Sequence, residues 1–81
     1  MSIVTVQLFA SYAERFGGAT IEVPLAPGDT VEHLVNSIRS RPEAGLLPSS
    51  LRVAVNRRFA SQDQVLRPTD EVALIPPVAG G

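Results

Sequence analysis

The sequence predicts an α+β fold in which a mixed sheet wraps around one main helix. Two alternating apolar segments come first, one strongly periodic helical segment follows, and two or three short strand-like segments complete the chain. A hairpin that packs on the helix, with the last strand beside the first, would bury the single apolar stripe of that helix. This arrangement is the β-grasp, or ubiquitin-like, architecture. A ferredoxin-like fold would need a second long helix, which residues 42–50 and 61–70 do not supply.

The first strand is predicted at residues 3–9, where β-branched residues recur in a partly alternating pattern. We place Val4, Val6 and Leu8 on the face of the strand that meets the core. Phe9 then falls on the opposite face.

A short helix and the second strand are expected next. Residues 10–16 can form two helical turns, and the Gly-Gly pair that follows would end them, since glycine readily adopts the left-handed conformation of a helix C-cap. Residues 19–23 alternate again, with Ile21 and Val23 directed inward. Pro24 is expected to end this strand. The first two strands therefore form a hairpin with an elongated connection.

The main helix follows a turn at residues 27–29. Asp29 and Thr30 are assigned to capping, because short oxygen-bearing side chains accept the free N–H groups of a helix start. Apolar residues then recur at the i, i+3, i+4 and i+7 positions of one helix face, namely Val31, Leu34, Val35 and Ile38. Pro42 is expected to end the helix.

The chain after the helix begins with a predicted loop at residues 42–50 and a third strand at residues 51–55. Three residues of this strand share its inner face: Leu51, Val53 and Val55. Residues 56–57 predict a turn, and residues 58–60 a short edge strand that returns beside the third.

The last strand is predicted at residues 71–75, after a polar stretch at residues 61–70. Within that stretch, Val65 and Leu66 are expected to reach the core. In the strand, alternation places Val72 and Leu74 on one face and Ala73 and Ile75 on the other.

Composition excludes several kinds of function. The chain has 81 residues, which suits one domain, and no cysteine, so it has no disulfide, thiolate nucleophile or cysteine metal site. Its net charge is −1 and all of its basic residues are scattered arginines, which argues against a nucleic-acid partner. No apolar stretch is long enough for a membrane span, and we expect a cytoplasmic protein. His33 stands alone, so we predict a surface histidine and no metal site.

The final residues are the best candidate for chemistry. We divide the chain into a β-grasp domain, residues 1–77, and a flexible tail, residues 78–81, that ends in Gly80 and Gly81. Pro76 and Pro77 donate no backbone hydrogen bond and favour extended geometry, so they should project the tail from the sheet.

Glycines allow a backbone to pass through a narrow channel, and the tail residues Val78, Ala79 and Gly80 would carry the Gly81 carboxylate into a partner. A carboxylate is a poor electrophile, so acyl chemistry would require activation, for example as an acyl-adenylate made with ATP by a partner enzyme. Attack by a sulfur donor would then leave a nucleophilic thiocarboxylate on Gly81.

An apolar patch is expected beside the tail. Phe9 and Ile75 point away from the helix, and Phe59 lies on the predicted edge strand. The alternative is that these residues simply cover the edge of the sheet. We assign all three, with Pro76 and Pro77, to partner binding, because exposed apolar clusters often mark interaction sites.

The chain resembles the small, sulfur-carrier subunit of molybdopterin synthase. The resemblance rests on Val55-Asn56, on the Asp-Glu-Val-Ala segment at 70–73, and on the Pro-Pro-Val-x-Gly-Gly ending at 76–81. Ala13 and Thr69 depart from it, since the family often has arginine and glycine there.

The resemblance implies that a ubiquitin-activating-enzyme-like adenylyltransferase uses ATP on Gly81 and that a sulfurtransferase system forms the thiocarboxylate. The tail would then enter the large molybdopterin synthase subunit and give sulfur to cyclic pyranopterin monophosphate. It also implies a docking surface that includes Phe9, Phe59 and Ile75. Catalytic side chains would lie on the large subunit, so this chain would bind no cofactor and would not be catalytic alone. The expected assembly is a heterotetramer of two large and two small subunits.

Two other functions stay open at this point. The chain could carry sulfur for thiazole, cysteine or transfer-RNA thiolation, although the Pro-Pro-Val segment argues against these pathways. It could also be a ubiquitin-like modifier or a binding module. The partner that co-purifies with the chain would distinguish these alternatives.

Overall fold

The computed structural model describes residues 2–45, 47–48 and 50–76. The elements follow in the order β1 (Ser2–Leu8), α1 (Ala10–Phe16), β2 (Thr20–Leu25), α2 (Val31–Arg39), a 3₁₀ turn (Pro42–Ala44), β3 (Arg52–Val55), β4 (Arg58–Phe59) and β5 (Val72–Ile75). The strands form one five-stranded sheet in the order β2-β1-β5-β3-β4. Among the described strands, β1 and β5 pair in parallel, and β1–β2, β3–β4 and β3–β5 pair antiparallel. The predicted mixed sheet around one main helix, a β-grasp, is confirmed.

The core lies between the inner face of the sheet and α2. Alternate residues of the strands are directed into it, as the hydrophobic pattern predicts: Val4, Val6, Leu8, Ile21, Val23, Leu25, Val53, Val55, Val72 and Leu74 are all buried. From α2, Val31, Leu34 and Ile38 are buried and Val35 packs at the margin. The predicted inner faces of the first, second and last strands are therefore confirmed.

The start of α2 is fixed by a reciprocal cap. The Thr30 hydroxyl accepts the His33 backbone N–H at 3.4 Å, and the Thr30 N–H donates to His33 Nδ1 at 3.0 Å. The Asp29 carboxylate accepts the Ala26 N–H at 2.9 Å and closes the preceding turn. The predicted capping role is confirmed for Thr30, and His33 occupies the place that Glu or Gln often takes in such a capping box. The prediction is wrong for Asp29, because the N–H that its carboxylate accepts belongs to Ala26 and not to the helix.

Pro24 does not end the second strand, which continues to Leu25 and pairs Pro24 with Ile3. The strand tolerates proline because β2 is at the edge of the sheet. The Glu22 carbonyl accepts a hydrogen bond from the Arg41 guanidinium, so residue 22 directs its backbone groups away from β1. Pro24, two residues further, shares that direction, and the N–H that it lacks would have faced outward.

Val65 does not reach the core, because its side chain is 55% exposed, whereas Leu66 is buried as predicted. Val65 forms an isolated β-bridge with Thr30, and the Leu66 N–H donates to the Asp29 carbonyl at 2.9 Å. The N–H groups of Val31 and Glu32, which a helix start leaves free, donate to carbonyls of residues 64 and 62. These bonds hold the polar stretch against the start of α2 and turn Val65 outward.

The main helix ends at Arg39, before the predicted stop at Pro42, which instead begins the 3₁₀ turn. Leu51 is half-buried and packs against the core, but it precedes β3. The edge strand stops at Phe59, one residue earlier than predicted. Within the described residues the longest helix, α2, has nine residues, and no helix has the length and apolar character to cross a membrane.

Candidate docking face

The outer face of the sheet, on the side opposite α2, carries the residues that the sequence set apart from the core. One cross-strand row runs over four strands, because Gln7 pairs with Ala73, Ala73 with Ala54, and Ala54 with Phe59. The two alanines at its centre are half-buried, whereas Phe59 at its end is 63% exposed. The row therefore has a low centre and an aromatic end.

Phe9 and Ile75 form the next row towards the ends of the two parallel strands. Leu8 pairs with Leu74, so the residues that follow them, Phe9 and Ile75, are neighbours on the outer face. Phe9 is 47% exposed and Ile75 is half-buried. Phe9 retains an extended backbone, with φ −127° and ψ 152°, immediately before α1 begins. The predicted outward direction of both side chains is confirmed.

Phe59 is held at the edge by a tight turn and by a cation. Asn56 and Arg57 have φ values of 52° and 70°, the left-handed conformation that returns a two-residue hairpin. The Arg52 guanidinium carbon lies 4.7 Å from the centre of the Phe59 ring, within the range of a cation–π contact. The structure thus brings Phe9, Phe59 and Ile75 to one face, while their role in binding stays a prediction.

A shallow hollow of about 290 Å³ lies between these residues. Its lining combines the two rows described above with a charged end: Gln7, Phe9, Ala54, Arg57, Phe59, Glu71, Ala73 and Ile75. At the charged end, Arg57 Nε lies 3.6 Å from a Glu71 carboxylate oxygen, and both side chains are exposed. An open hollow with mostly apolar walls is suited to receive a side chain from another protein.

A polar brace, which sequence reasoning missed, fixes the charged end of the hollow. The Glu71 N–H donates to Asn56 Oδ1 at 2.9 Å, and the Asn56 N–H donates to the Glu71 carbonyl at 2.7 Å. Asn56 Nδ2 donates to Asp70 Oδ1 at 3.1 Å, while Asp70 Oδ2 accepts the Arg67 N–H at 2.8 Å. The brace ties the β3–β4 turn to the start of β5, the strand that leads to the tail.

The tail begins directly beyond this face. Pro76 is half-buried after the end of β5, and Ile75 pairs with Arg52 of β3. Pro77 and the predicted tail residues Val78, Ala79, Gly80 and Gly81 lie outside the described residues, as does the boundary between the domain and the tail. The structure therefore describes the base from which the tail departs.

Tyr12 is the buried side chain with a polar atom that finds no partner among the described residues. It lies on α1, only 4% exposed, and its hydroxyl makes no hydrogen bond there. Burial raises the pKa of Tyr12 above its usual value, and the positive charges of Arg39 and Arg15 offset part of this increase. The hydroxyl is therefore held in its neutral form and has no evident part in chemistry.

His33 has an exposed side chain, as predicted, and its Nδ1 lies 3.4 Å from Asp29 Oδ1. In the described part of the chain, no three His, Asp or Glu residues are grouped as metal ligands. His33 thus has a structural role in the helix cap.

Comparison with known proteins places this fold in a family. The model of the family described as the ThiS family matches residues 6–81. The chain belongs to the ThiS family. This ThiS-family chain is also 33% identical to the molybdopterin synthase sulfur carrier subunit of Dictyostelium discoideum, over 94% of this chain and 93% of that protein. The resemblance found in the sequence is therefore confirmed.

Solved structures of similar fold carry two kinds of name. A putative molybdopterin converting factor subunit 1 from Pyrococcus furiosus is 29% identical with a TM-score of 0.82, over 96% of the ThiS-family chain and all of the other chain. SAMP1, a small archaeal modifier protein from Haloferax volcanii, is 28% identical with a TM-score of 0.80, over 99% of this chain and all of the other.

A Helicobacter pylori protein shows the fold alone, because its identity is 18% at a TM-score of 0.70, over 98% of this chain and 99% of that one. It was solved as a complex of subunits 1 and 2 of the molybdopterin-converting factor.

Proposed function

We propose that this chain is a sulfur carrier subunit that serves a large molybdopterin synthase subunit. The observation that carries the proposal is the continuity between β5 and the outer face: one strand supplies Ile75 to the apolar face and then leads into the Pro-Pro-Val-x-Gly-Gly ending. Family membership and the name of the Dictyostelium discoideum relative support the same function.

The reactive group in this proposal is the carboxylate of Gly81 as the terminal residue of the mature protein. A ubiquitin-activating-enzyme-like adenylyltransferase would convert it with ATP to the acyl-adenylate and pyrophosphate. A sulfur donor would then attack the activated carbonyl carbon, and AMP would leave. The resulting thiocarboxylate would deliver its sulfur to cyclic pyranopterin monophosphate in the active site of the large subunit.

The large subunit would dock on the outer face while the tail enters its active site. Phe9, Phe59 and Ile75 supply apolar area for docking, and Pro76 with Pro77 would set the direction of the tail. The name of the Dictyostelium discoideum relative, a sulfur carrier subunit of molybdopterin synthase, supports a partner of this kind. The present chain would then contribute the sulfur and the docking surface, and the large subunit the catalytic side chains.

Intact-mass measurement tests the proposal. The chain is incubated with the activating enzyme, ATP and a sulfur source, and one oxygen should be exchanged for sulfur at the C-terminus. A matched chain that lacks Gly81 should show no exchange. The proposal is wrong if the shortened chain still supplies sulfur to the large subunit.

A ubiquitin-like modifier is the second candidate, and the similarity to SAMP1 of Haloferax volcanii favours it. Both functions begin with activation of a terminal carboxylate, but a modifier ends as an amide on the lysine of another protein. Peptide mapping of the same reaction, carried out with cell extract, separates them. A Gly81-linked lysine would indicate the modifier, and a thiocarboxylate without conjugates would indicate the carrier.

A further inference from the structure

We infer that the hollow on the outer face is a socket for one protruding apolar side chain of the large subunit, and that its basic rim pairs with carboxylates beside that side chain. This inference rests on the proposed function, because it specifies how the docking face recognises its partner.

The floor of the socket is made by two alanines. Ala54 and Ala73 face each other across β3 and β5, and neither side chain extends beyond Cβ. Adjacent strands lie about 4.8 Å apart and alternate residues of one strand about 7 Å apart, so larger neighbours surround the pair on all sides. Phe59 stands at one end of the row and Gln7 at the other, with Phe9 and Ile75 alongside.

The walls select an apolar occupant. Phe9, Phe59 and Ile75 offer no hydrogen-bond partner to water in the hollow, so an apolar side chain that displaces this water gains affinity. The hollow of about 290 Å³ is open and shallow, which suits a side chain that projects from a protein surface.

The rim on the β3–β4 side is basic. Arg57 lines the hollow and Arg52 covers the Phe59 ring, whereas the acid that lines the hollow is Glu71. Arg57 Nε is 3.6 Å from Glu71, so its guanidinium has donors available for a further carboxylate. The partner surface that fits this rim is therefore acidic around its apolar side chain.

A second copy of the chain is a poorer occupant. In a two-fold symmetric contact each face would meet the same face of its partner. Arg52 and Arg57 would then lie on both sides of the contact, where like charges brought close together are unfavourable, whereas a surface that carries carboxylates can pair with both. The charge arrangement thus favours a different, acidic protein.

A larger side chain at the floor of the socket tests the inference and leaves the wall residues Phe9, Phe59 and Ile75 unchanged. The affinity of the purified large molybdopterin synthase subunit is measured by titration calorimetry for the wild-type chain, Ala73→Leu and Ala26→Leu. Ala26 lines a hollow of similar size, about 280 Å³, beside Pro27 and Val65, and therefore provides the matched control. We expect Ala73→Leu to weaken binding by at least about tenfold and Ala26→Leu to leave it within about twofold.

A charge reversal supplies a second variant. Arg57→Glu should weaken binding by about fivefold or more at low salt, and this loss should shrink at high salt. Arg67→Glu, which changes an arginine in the other hollow, is the control and should have little effect. Thermal melting of each variant shows whether it is folded.

The inference is overturned if folded Ala73→Leu binds as tightly as the wild type, or if both leucine variants weaken binding equally. Should Ala73→Leu fail to fold, the arginine pair decides, and equal effects of the two reversals would reject the basic rim. If the wild-type chain does not bind the large subunit at all, it is the proposed function that fails. Thiocarboxylate formation, measured by intact mass, should be the same in the controls Ala26→Leu and Arg67→Glu as in the wild type, since both residues line the other hollow.

Discussion

Replacing Asn56 should destabilise the domain more than replacing any ordinary exposed asparagine. Its side chain makes two hydrogen bonds: Asn56 Oδ1 accepts the Glu71 N–H at 2.9 Å, and Asn56 Nδ2 donates to Asp70 Oδ1 at 3.1 Å. At about 0.5–1 kcal/mol for each bond on an exposed surface, Asn56→Ala loses about 1–2 kcal/mol from the brace. The residue also has a φ of 52°, which asparagine adopts at a lower cost than alanine. That strain adds about 1 kcal/mol.

The two contributions can be separated by a second substitution. Asn56→Gly removes the same hydrogen bonds, but glycine adopts a positive φ without strain. We therefore expect a loss of about 2–3 kcal/mol for Asn56→Ala and about 1–2 kcal/mol for Asn56→Gly. For a domain of this size, the alanine variant should melt about 10–20 °C below the wild type. Asn36→Ala, in the exposed face of α2, is the matched control and should change stability by less than about 0.5 kcal/mol.

Urea unfolding followed by circular dichroism measures these differences. If Asn56→Ala is as stable as Asn36→Ala, the brace contributes nothing to folding. If Asn56→Ala and Asn56→Gly lose the same amount, the positive φ has no cost and the hydrogen bonds account for the whole effect.

Two further predictions concern the buried and the exposed aromatic side chains. Tyr12→Phe should raise the free energy of unfolding by about 1 kcal/mol, because the hydroxyl is buried without a partner in the described structure. Burial raises the pKa of Tyr12 in the folded protein above the value of about 10 in the unfolded chain. The free energy of unfolding of the wild type should therefore be constant below about pH 10 and decrease as the pH rises through the folded pKa. Tyr12→Phe should remove this decline. Tyr12 is the single tyrosine and the chain has no Trp, Lys or Cys, so the absorbance of tyrosinate measures the titration of Tyr12 directly. An unchanged alkaline profile in the variant would contradict this assignment. Phe9→Glu should weaken binding of the large subunit while the melting temperature stays close to that of the wild type, since Phe9 is 47% exposed and outside the core; a large loss of stability would instead place the Phe9 ring in the core.

Most of the fold could be predicted because the residues of each strand alternate between the core face and the outer face, and this alternation is visible in the sequence. In β1 and β5, alternate residues are either buried or directed outward, and the same alternation sets Phe9 and Ile75 apart from the core. The i, i+3, i+4 pattern identified α2, and the turn before it located the cap. These are local signals that need no knowledge of neighbouring segments.

The remaining features depend on contacts between distant segments. Whether Pro24 ends a strand depends on its position at the sheet edge, which follows from the order of strands. Val65 is exposed and Leu66 is buried because backbone hydrogen bonds to residues 29–32 fix the direction of this segment. The brace joins Asn56 to Asp70 and Glu71, which follow it by 14 and 15 positions in the sequence.

The hollow is likewise a product of register, because a shift of one residue between β3 and β5 would separate Ala54 from Ala73 and remove its floor.

The same register explains how β5 can serve folding and docking at once. Val72 and Leu74 are fully buried on the inner face, so truncating either would create a cavity that costs about 1–5 kcal/mol. Ala73 and Ile75, between and beyond them, add little to the core and are free to shape the outer surface. Because successive residues belong to opposite faces, changes that tune the partner surface leave the packing of α2 intact. The strand that leads into the tail can therefore be adapted to a partner without loss of the fold that presents it.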